Sequence, residues 1–299
     1  MREYLNILGI AIDKHSKNDI SKNVTVLSST LLNTIDLRRV LHSKEEVDGE
    51  FIRHVGQVED IVNDVALRMV YKLNDAAFRP IFSQLMEWAT AVPKKDVTGR
   101  TLRLLSVYGF LSAFFGNLKS IVTNYATYVV ESAVSVLKAA DISRAEERDL
   151  WRRVLQVLAQ CFEHDQDDFW QAPAHFNAVA PVLVSQFAHA TTVDLTRELI
   201  PAIVELAATA DSQEHQKELN TSLLKKLRSE QASVRLTVVK CQQALTDKLG
   251  EEWLAMLPEM LPYISELQED DDEDVERETN RWILGIETIL GESLDSMLQ

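Results

Sequence analysis

The sequence predicts an all-α fold, an α-solenoid of stacked helix pairs, on three observations. First, SVRLTVVKCQQALTDKLGEEWLAML at 233–257 returns forty-one positions later as DVERETNRWILGIETILGESLDSML at 274–298, with Val234 in register with Val275, Leu249 with Leu290 and Gly250 with Gly291. Second, the apolar spacing within each copy is helical. Val234, Val238, Cys241, Leu245 and Leu249 form one stripe, and Val275, Thr279, Trp282, Ile286 and Leu290 form the other, in steps of three and four that stay on one helix face. Third, nine glycines and seven prolines in 299 residues are too few for a turn-rich β fold. A unit of about forty residues carrying two helices is the mark of HEAT-like or armadillo-like repeats. One such pair cannot bury its apolar face alone, so neighbours must stack.

About thirteen helices are expected, at roughly 1–18, 21–42, 48–73, 75–92, 98–117, 119–139, 144–164, 170–189, 193–210, 213–228, 231–249, 251–268 and 273–290. The chain is read as one continuous solenoid over 1–299, with irregular helices at 1–74, irregular HEAT-like pairs at 75–190 and regular repeats of 41-residue period at 191–299. LLSVYGFLSAFFGNL, 104–118, reads as a helix buried on most sides, because it lacks charge yet is shorter than a bilayer requires. YVVESAVSVL has strand-like valines, but Val129, Ala133, Val136 and Leu137 fit a helical stripe better. The ninth helix carries the earliest copy of the register through Arg197, Ile200, Val204 and Ala208, of which Arg197 misfits. Ser233 and Asp274 are read as N-caps and the two Leu-Gly pairs as helix ends. Between them EEWLAMLPEMLPYISELQ forms the partner helix with Leu254, Leu257, Leu261 and Ile264 on one face, bent at Pro262. Polar connectors at 43–50, 93–100, 139–148 and 163–168 are too short to be interdomain linkers.

Composition places the chain among globular proteins, with 46% hydrophobic and 26% charged residues. Cys161 and Cys241 lie inside apolar stripes without disulfide or metal spacing, which favours a reducing compartment. The N-terminal stretch lacks the apolar region and cleavage-like site of a signal peptide. No phosphate loop, nucleophile elbow, HExxH or paired CxxC occurs, so no catalytic, cofactor-binding or metal-binding residue is assigned and an enzyme reading has no anchor. His164 and His175 flank DQDD, but no second ligand pair shares a helix face, and the segment reads as a solvated turn. Trp88, Trp151, Trp170, Trp253 and Trp282 fall at helical spacing from apolar neighbours and read as inter-helix core.

Charge is unevenly spread. The formal net charge is −15, yet residues 66–130 carry 8 Lys and Arg against 3 Asp and Glu, while residues 191–299 carry 10 against 23. Two candidate contact sets follow. Lys94, Lys95, Arg100, Arg103 and Lys119, with Arg68, Lys72 and Arg79 nearby, are candidates to meet RNA phosphates or an acidic partner. Asp270, Asp271, Asp272, Glu273 and Asp274, at the turn into the last helix, are candidates to hold a basic partner. The bland reading of each is a solvated face or a capped, charged helix start.

FRPIFSQLMEWA at 78–89, SVYGFLSAFFGNLKSIVTNY at 106–125 and the stretch LLKKLRSEQASVRLTVVKCQQALTDKLGEEWLAMLPEMLPYISELQEDDDEDVERETNRWILGIETILGESL together resemble the C-terminal region of one family. That family is the very large HEAT-repeat subunit of the small-subunit processome, associated with the U-three small nucleolar RNA. The resemblance runs from about residue 70 to the end, and family members are several times longer. It implies a non-enzymatic nucleolar scaffold in ribosome biogenesis that supports pre-ribosomal RNA processing. It also implies contacts with other processome proteins, pre-ribosomal RNA and small nucleolar RNA, and no cofactor, membrane or small-molecule substrate. The repeat pattern by itself leaves a second class open, an importin-like transport adaptor that holds basic cargo.

Overall fold

The computed structural model describes residues 1–42, 48–295 and 297–298. Among these, all regular elements are helical. In chain order they are α1 (Arg2–Lys14), α2 (Lys17–Lys22), α3 (Val24–Ile35), α4 (Leu37–His42), α5 (Gly49–Lys72), α6 (Asp75–Thr90), α7 (Val97–Asn117), α8 (Thr123–Ala139), α9 (Ala145–Glu163), α10 (Pro173–Ser185), α11 (Leu199–Ala210), α12 (Gln213–Lys226), α13 (Ala232–Leu249), α14 (Glu251–Leu254), α15 (Leu257–Leu267) and α16 (Glu273–Leu290), with short 3-10 turns at Lys119–Ile121, Phe169–Gln171 and Gln186–Thr191. Thirteen expected helices become sixteen because three are interrupted. Ser16 starts a new helix through a reciprocal capping box with Asp19. The stretch 21–42 is divided between α3 and α4 at Asp36. The partner helix 251–268 breaks at Ala255 and Met256, just before Pro258, and Pro262 lies inside the second piece. The expected connector at 43–50 lies largely outside the described residues.

The chain divides into two compact units, one of residues 1–119 and 144–153, the other of 120–143 and 154–299. In the first, α5 packs against α1, α3 and α7, and α7 packs against α4, α5 and α6. Every residue of α7 from Thr101 to Leu111 is buried, as expected for this apolar stretch. Phe114 joins α7 to α6, its ring 5.4 Å from Phe78 and 5.5 Å from Phe82. Such aromatic contacts add to the area they bury.

In the second unit α11, α13 and α16 pack on one another in sequence order, with α12, α14 and α15 against them, the arrangement of stacked helix pairs. The repeat holds in helix length and position: α13 and α16 are each 18 residues long, preceded by Gln231 and Asp272 and ended by Gly250 and Gly291. Val234, Val238, Cys241 and Leu245 are buried, and so are Val275, Thr279, Trp282 and Ile286, while Leu249 and Leu290, the last position of each stripe, are only half-buried. Both helices begin two residues earlier than Ser233 and Asp274 suggest. Asp272 supplies the cap of α16, accepting from the amides of Asp274 and Val275 at 3.0 and 3.2 Å, whereas α13 has no side-chain cap. In the partner helix Met260, fully buried, takes the core place expected of Leu261, which is half-buried.

The earliest copy departs from the register at its start. Helix α11 begins at Leu199, not 193, because the Asp194 carboxylate accepts from both the amide and the hydroxyl of Thr196 at 2.9 and 2.7 Å. That local turn competes with helical hydrogen bonding. Arg197 is accordingly exposed.

A buried polar ladder crosses the repeats of the second unit. The Trp253 indole N–H donates to Gln242 Oε1 at 2.9 Å, and the Gln242 amide donates to Asn220 Oδ1 at 2.9 Å. One turn along, the Trp282 indole N–H donates to Thr246 Oγ1 at 3.0 Å. Four of the five tryptophans are thus core, with Trp151 and Trp170 also buried. Trp88 is half-buried and has a different task, described below.

Candidate interaction surfaces

The basic candidates separate according to what already holds them. Lys94 and Lys95 are the central residues of a tight turn, closed by the Asp96 amide donating to the Pro93 carbonyl at 2.9 Å, and both are exposed. Entry into α7 is fixed by the Asp96 carboxylate, which accepts from the Gly99 amide at 2.9 Å. A Cβ at Gly99 would overlap that carboxylate, so the cap requires glycine. One turn on, Arg100 is half-buried, with its Nε enclosed and without a hydrogen-bond partner. These three residues share the N-terminal end of α7.

Arg103 does not stand with them. Only 7% exposed, it donates from Nε and Nη2 to the two carboxylate oxygens of Asp36, each at 2.9 Å, and from Nη1 to the Trp88 carbonyl at 3.0 Å. Its guanidinium lies 4.2 Å from the Trp88 ring centre, a cation–π contact that accounts for that tryptophan. The sequence set therefore contained one residue whose charge is spent inside the protein. Lys119 is exposed but follows the far end of α7, whose 21 residues separate it from Lys95 by about 30 Å at 1.5 Å per residue. Of the neighbours, Arg68 pairs with Asp13 and Asp64 at 2.5 and 2.9 Å, and Arg79 with Asp75 at 2.9 Å. The Lys72 ammonium donates to the carbonyls of Asp13 and His15.

The acidic turn is also partly committed. Asp270 points inward and accepts both arms of Arg235 at 2.7 and 2.6 Å, together with the Asp272 amide at 3.0 Å. Burial pushes the Asp270 carboxyl up, but the Arg235 and Asp272 bonds outweigh it and hold the group below the ordinary carboxylate range. Asp272 is the cap of α16. Asp271, 93% exposed while touching Arg235, stands in solvent with Glu273 and Asp274, the last also paired with Arg277.

The connector at 163–168 is more than a solvated turn. Asp165 is half-buried and accepts from the Thr123 hydroxyl at 3.0 Å and the Trp170 amide at 3.2 Å, tying α8 to the 3-10 turn that follows α9. His175 is likewise engaged, its Nδ1 2.8 Å from the Phe169 carbonyl oxygen and its ring stacked on Phe169. Among the described residues no group of three His, Cys, Asp or Glu side chains is placed to hold a metal ion, and no helix is long and apolar enough to cross a membrane. Cys161 and Cys241 are free and buried, and burial pushes both thiols up, away from the reactive thiolate.

Residues 19–170, just over half of the chain, match the family model of the BP28CT (NUC211) domain. The chain belongs to the BP28CT (NUC211) domain family. Proteins called U3 small nucleolar RNA-associated protein 10 are similar to this BP28CT chain along its whole length. That of Chaetomium globosum is 65% identical over 99% of the chain and 17% of the relative. Those of Neurospora crassa and Pyricularia oryzae are 59% and 54% identical over 100% of the chain and 16% and 17% of the relatives. The chain thus spans about one-sixth of the length of these relatives. Their name carries the small nucleolar RNA that the resemblance read from the sequence also pointed to. Among solved structures, a designed armadillo repeat protein is 12% identical with a TM-score of 0.43, over 86% of this chain and 98% of that one.

Proposed function

We propose that this chain is a scaffold module of the small-subunit processome, acting in ribosome biogenesis in the nucleolus and supporting pre-ribosomal RNA processing without catalysing a reaction itself. The observation that carries the reading is 65% identity across 99% of the chain to a protein named for association with U3 small nucleolar RNA. The architecture supports it, since the conspicuous polar groups of the second unit, Asn220, Gln242, Thr246 and the two indoles, are consumed in holding repeats together. The partners are other processome proteins, with pre-ribosomal RNA and the small nucleolar RNA. Nothing favours the transport-adaptor alternative.

Phosphate contact is assigned to Lys94 and Lys95 with Arg100 beside them, and contact with a basic protein segment to Asp271, Glu273 and Asp274. The test is crosslinking and pull-down of the tagged full-length polypeptide from nuclear extract, comparing wild type with Lys94→Glu/Lys95→Glu. Processome proteins and pre-ribosomal RNA should be recovered with the wild type. The double variant should bind RNA more weakly, with a salt slope lower by about one unit per lost phosphate contact. Recovery of import cargo in place of processome components would refute the scaffold reading. Unchanged RNA affinity and slope would refute only the assignment to Lys94 and Lys95.

A further inference from the structure

We propose that the groove between α13 and α16 at Gly285 seats a lysine or arginine of the basic protein segment assigned above to the acidic turn. The starting point is a glycine that the fold does not need. Gly285 lies inside α16, more than a turn from either end, where glycine weakens a helix relative to alanine. Its backbone is helical, and a Cβ there would meet no atom within 4 Å. At the matching place in α13, forty-one residues earlier, stands Ala244, so the repeat itself accepts a side chain. Gly49 and Gly56 are as open, but Gly285 lines a groove of about 450 Å³ between α13 and α16.

Two bonds between the helices fix the walls. The Gln243 amide donates to the Glu278 carbonyl at 2.7 Å, and the Trp282 indole N–H donates to the Thr246 hydroxyl at 3.0 Å, so the space is formed before anything enters it. The charged groups that line it are Asp247 of α13 and Glu278 and Arg281 of α16, an excess of one negative charge. Glu278, 12% exposed, takes Arg281 at 3.0 Å. The carboxylate left over is Asp247, which is exposed and, among the described residues, forms no ion pair. Between α11 and α13, by contrast, the Glu205 carboxylate is answered from within, by Lys248 at 2.8 Å. A cation entering at Gly285 rests its methylene stem on the bare backbone of α16 and brings its charge to Asp247.

The groove also continues the acidic turn. Asp274, Glu278, Arg281 and Gly285 follow at steps of four, three and four along one face of α16. Those eleven positions of helix span about 16 Å, which an extended segment of about five residues covers. One segment can therefore touch the turn and fill the groove. Residues 191–299, with 23 acidic against 10 basic side chains, draw such a segment in, whereas an acidic peptide or an RNA backbone would meet an unpaired carboxylate.

The inference rests on the basic-segment reading of the acidic turn, and the test separates the two. The full-length polypeptide is titrated, by fluorescence anisotropy, with a labelled peptide of alternating lysine and arginine and with a polyglutamate peptide as control. Gly285→Leu changes no charge but fills the groove, and should weaken binding of the basic peptide about tenfold or more. Asp247→Asn should weaken it about threefold, as loss of an exposed ion pair does. Thermal melting gives an independent reading: Gly285→Ala should melt at the same or a higher temperature, because its Cβ enters open space. A lower melting temperature would make the glycine a requirement of the fold and overturn the inference. Binding unchanged by Gly285→Leu would also overturn it. If Asp271→Asn/Glu273→Gln/Asp274→Asn then still weakened binding, the turn reading would stand. If that variant too bound like wild type, or polyglutamate bound more tightly, both readings would fall.

Discussion

Asp36→Ala should destabilise the first unit far more than loss of an exposed ion pair. Arg103 loses the acceptors of its Nε and Nη2, retains the carbonyls of Trp88 and Ala91 at 3.0 and 3.5 Å, and stays buried at 7% exposure. Removing one partner of a buried pair costs about 3 to 5 kcal/mol, because the remaining charge is left uncompensated. Asp36→Leu combined with Arg103→Met should recover most of that loss, since replacing both partners by apolar groups is close to neutral. The pair also sets a pH dependence. Burial pushes the Asp36 carboxyl up, but hydrogen bonds from Arg39 and Arg103 outweigh it and hold the carboxylate below its ordinary range. A depressed carboxylate contributes stability that is complete above its unfolded value of about 4 and is lost as the pH falls through the lower folded value. Urea melts at pH 7 and at pH 3 should therefore differ less in Asp36→Ala than in wild type. A loss below about 1 kcal/mol at pH 7, where even exposed pairs reach that value, or a double variant no better than the single one, would refute the reasoning. If instead Arg103→Met weakened RNA binding with no change in stability, the arginine would belong to the contact surface after all.

Leu245→Ala, at a fully buried site on the repeat stripe, should cost about 2 to 5 kcal/mol in urea melts, as cavity-forming substitutions do. Thr246→Val keeps the shape but leaves the buried Trp282 indole N–H without its acceptor, a loss of about 1 to 3 kcal/mol that should also alter tryptophan emission. Gly250→Ala should destabilise more than Gly291→Ala by thermal melting. Neither added Cβ meets another atom, but Gly250 has φ 57 and ψ −130, a strained combination for any L side chain, whereas Gly291 has φ 74 and ψ 12 in the milder left-handed helical region.

The fold was legible where one signal had one meaning. The first four positions of each apolar stripe and the glycine ends of α13 and α16 appear in the structure because periodicity and backbone permissiveness act locally, while Leu249 and Leu290 at the stripe ends are half-buried. The breaks were less visible. Asp194 replaces the first turns of α11 with a side-chain turn, and Asp272, not Asp274, caps α16; in an acidic stretch every carboxylate looks equally able to cap. The Asn220–Gln242–Trp253 ladder was missed, although polar residues at core positions were its signal; its partners are 22 and 11 residues apart, on three different helices. Arg103 was misplaced for the same reason. Its acceptor, Asp36, lies 67 positions away, and nothing near residue 103 distinguishes an arginine that faces water from one that faces a distant carboxylate.

Charge counted along a sequence and charge offered to a partner are therefore different quantities. Of the 8 cations in residues 66–130, Arg68, Arg79 and Arg103 are paired with carboxylates and Lys72 is held by backbone carbonyls. What remains is Lys94, Lys95 and Arg100 at one end of α7 and Lys119 at the other. Pairing also lowers the field felt at a distance, because Asp13, Asp64 and Asp36, which hold Arg68 and Arg103, lie outside residues 66–130 and cancel part of the excess counted there. Direct contact depends instead on side chains free to move toward a phosphate, and those are few and divided. The acidic turn repeats the pattern: Asp270 is taken by Arg235 and Asp272 by the helix start, which leaves Asp271, Glu273 and Asp274 facing solvent. A surface built this way draws partners by its summed charge and discriminates among them by a handful of residues. Substitutions at the committed residues should act on stability, and only those at the free residues should act on binding alone.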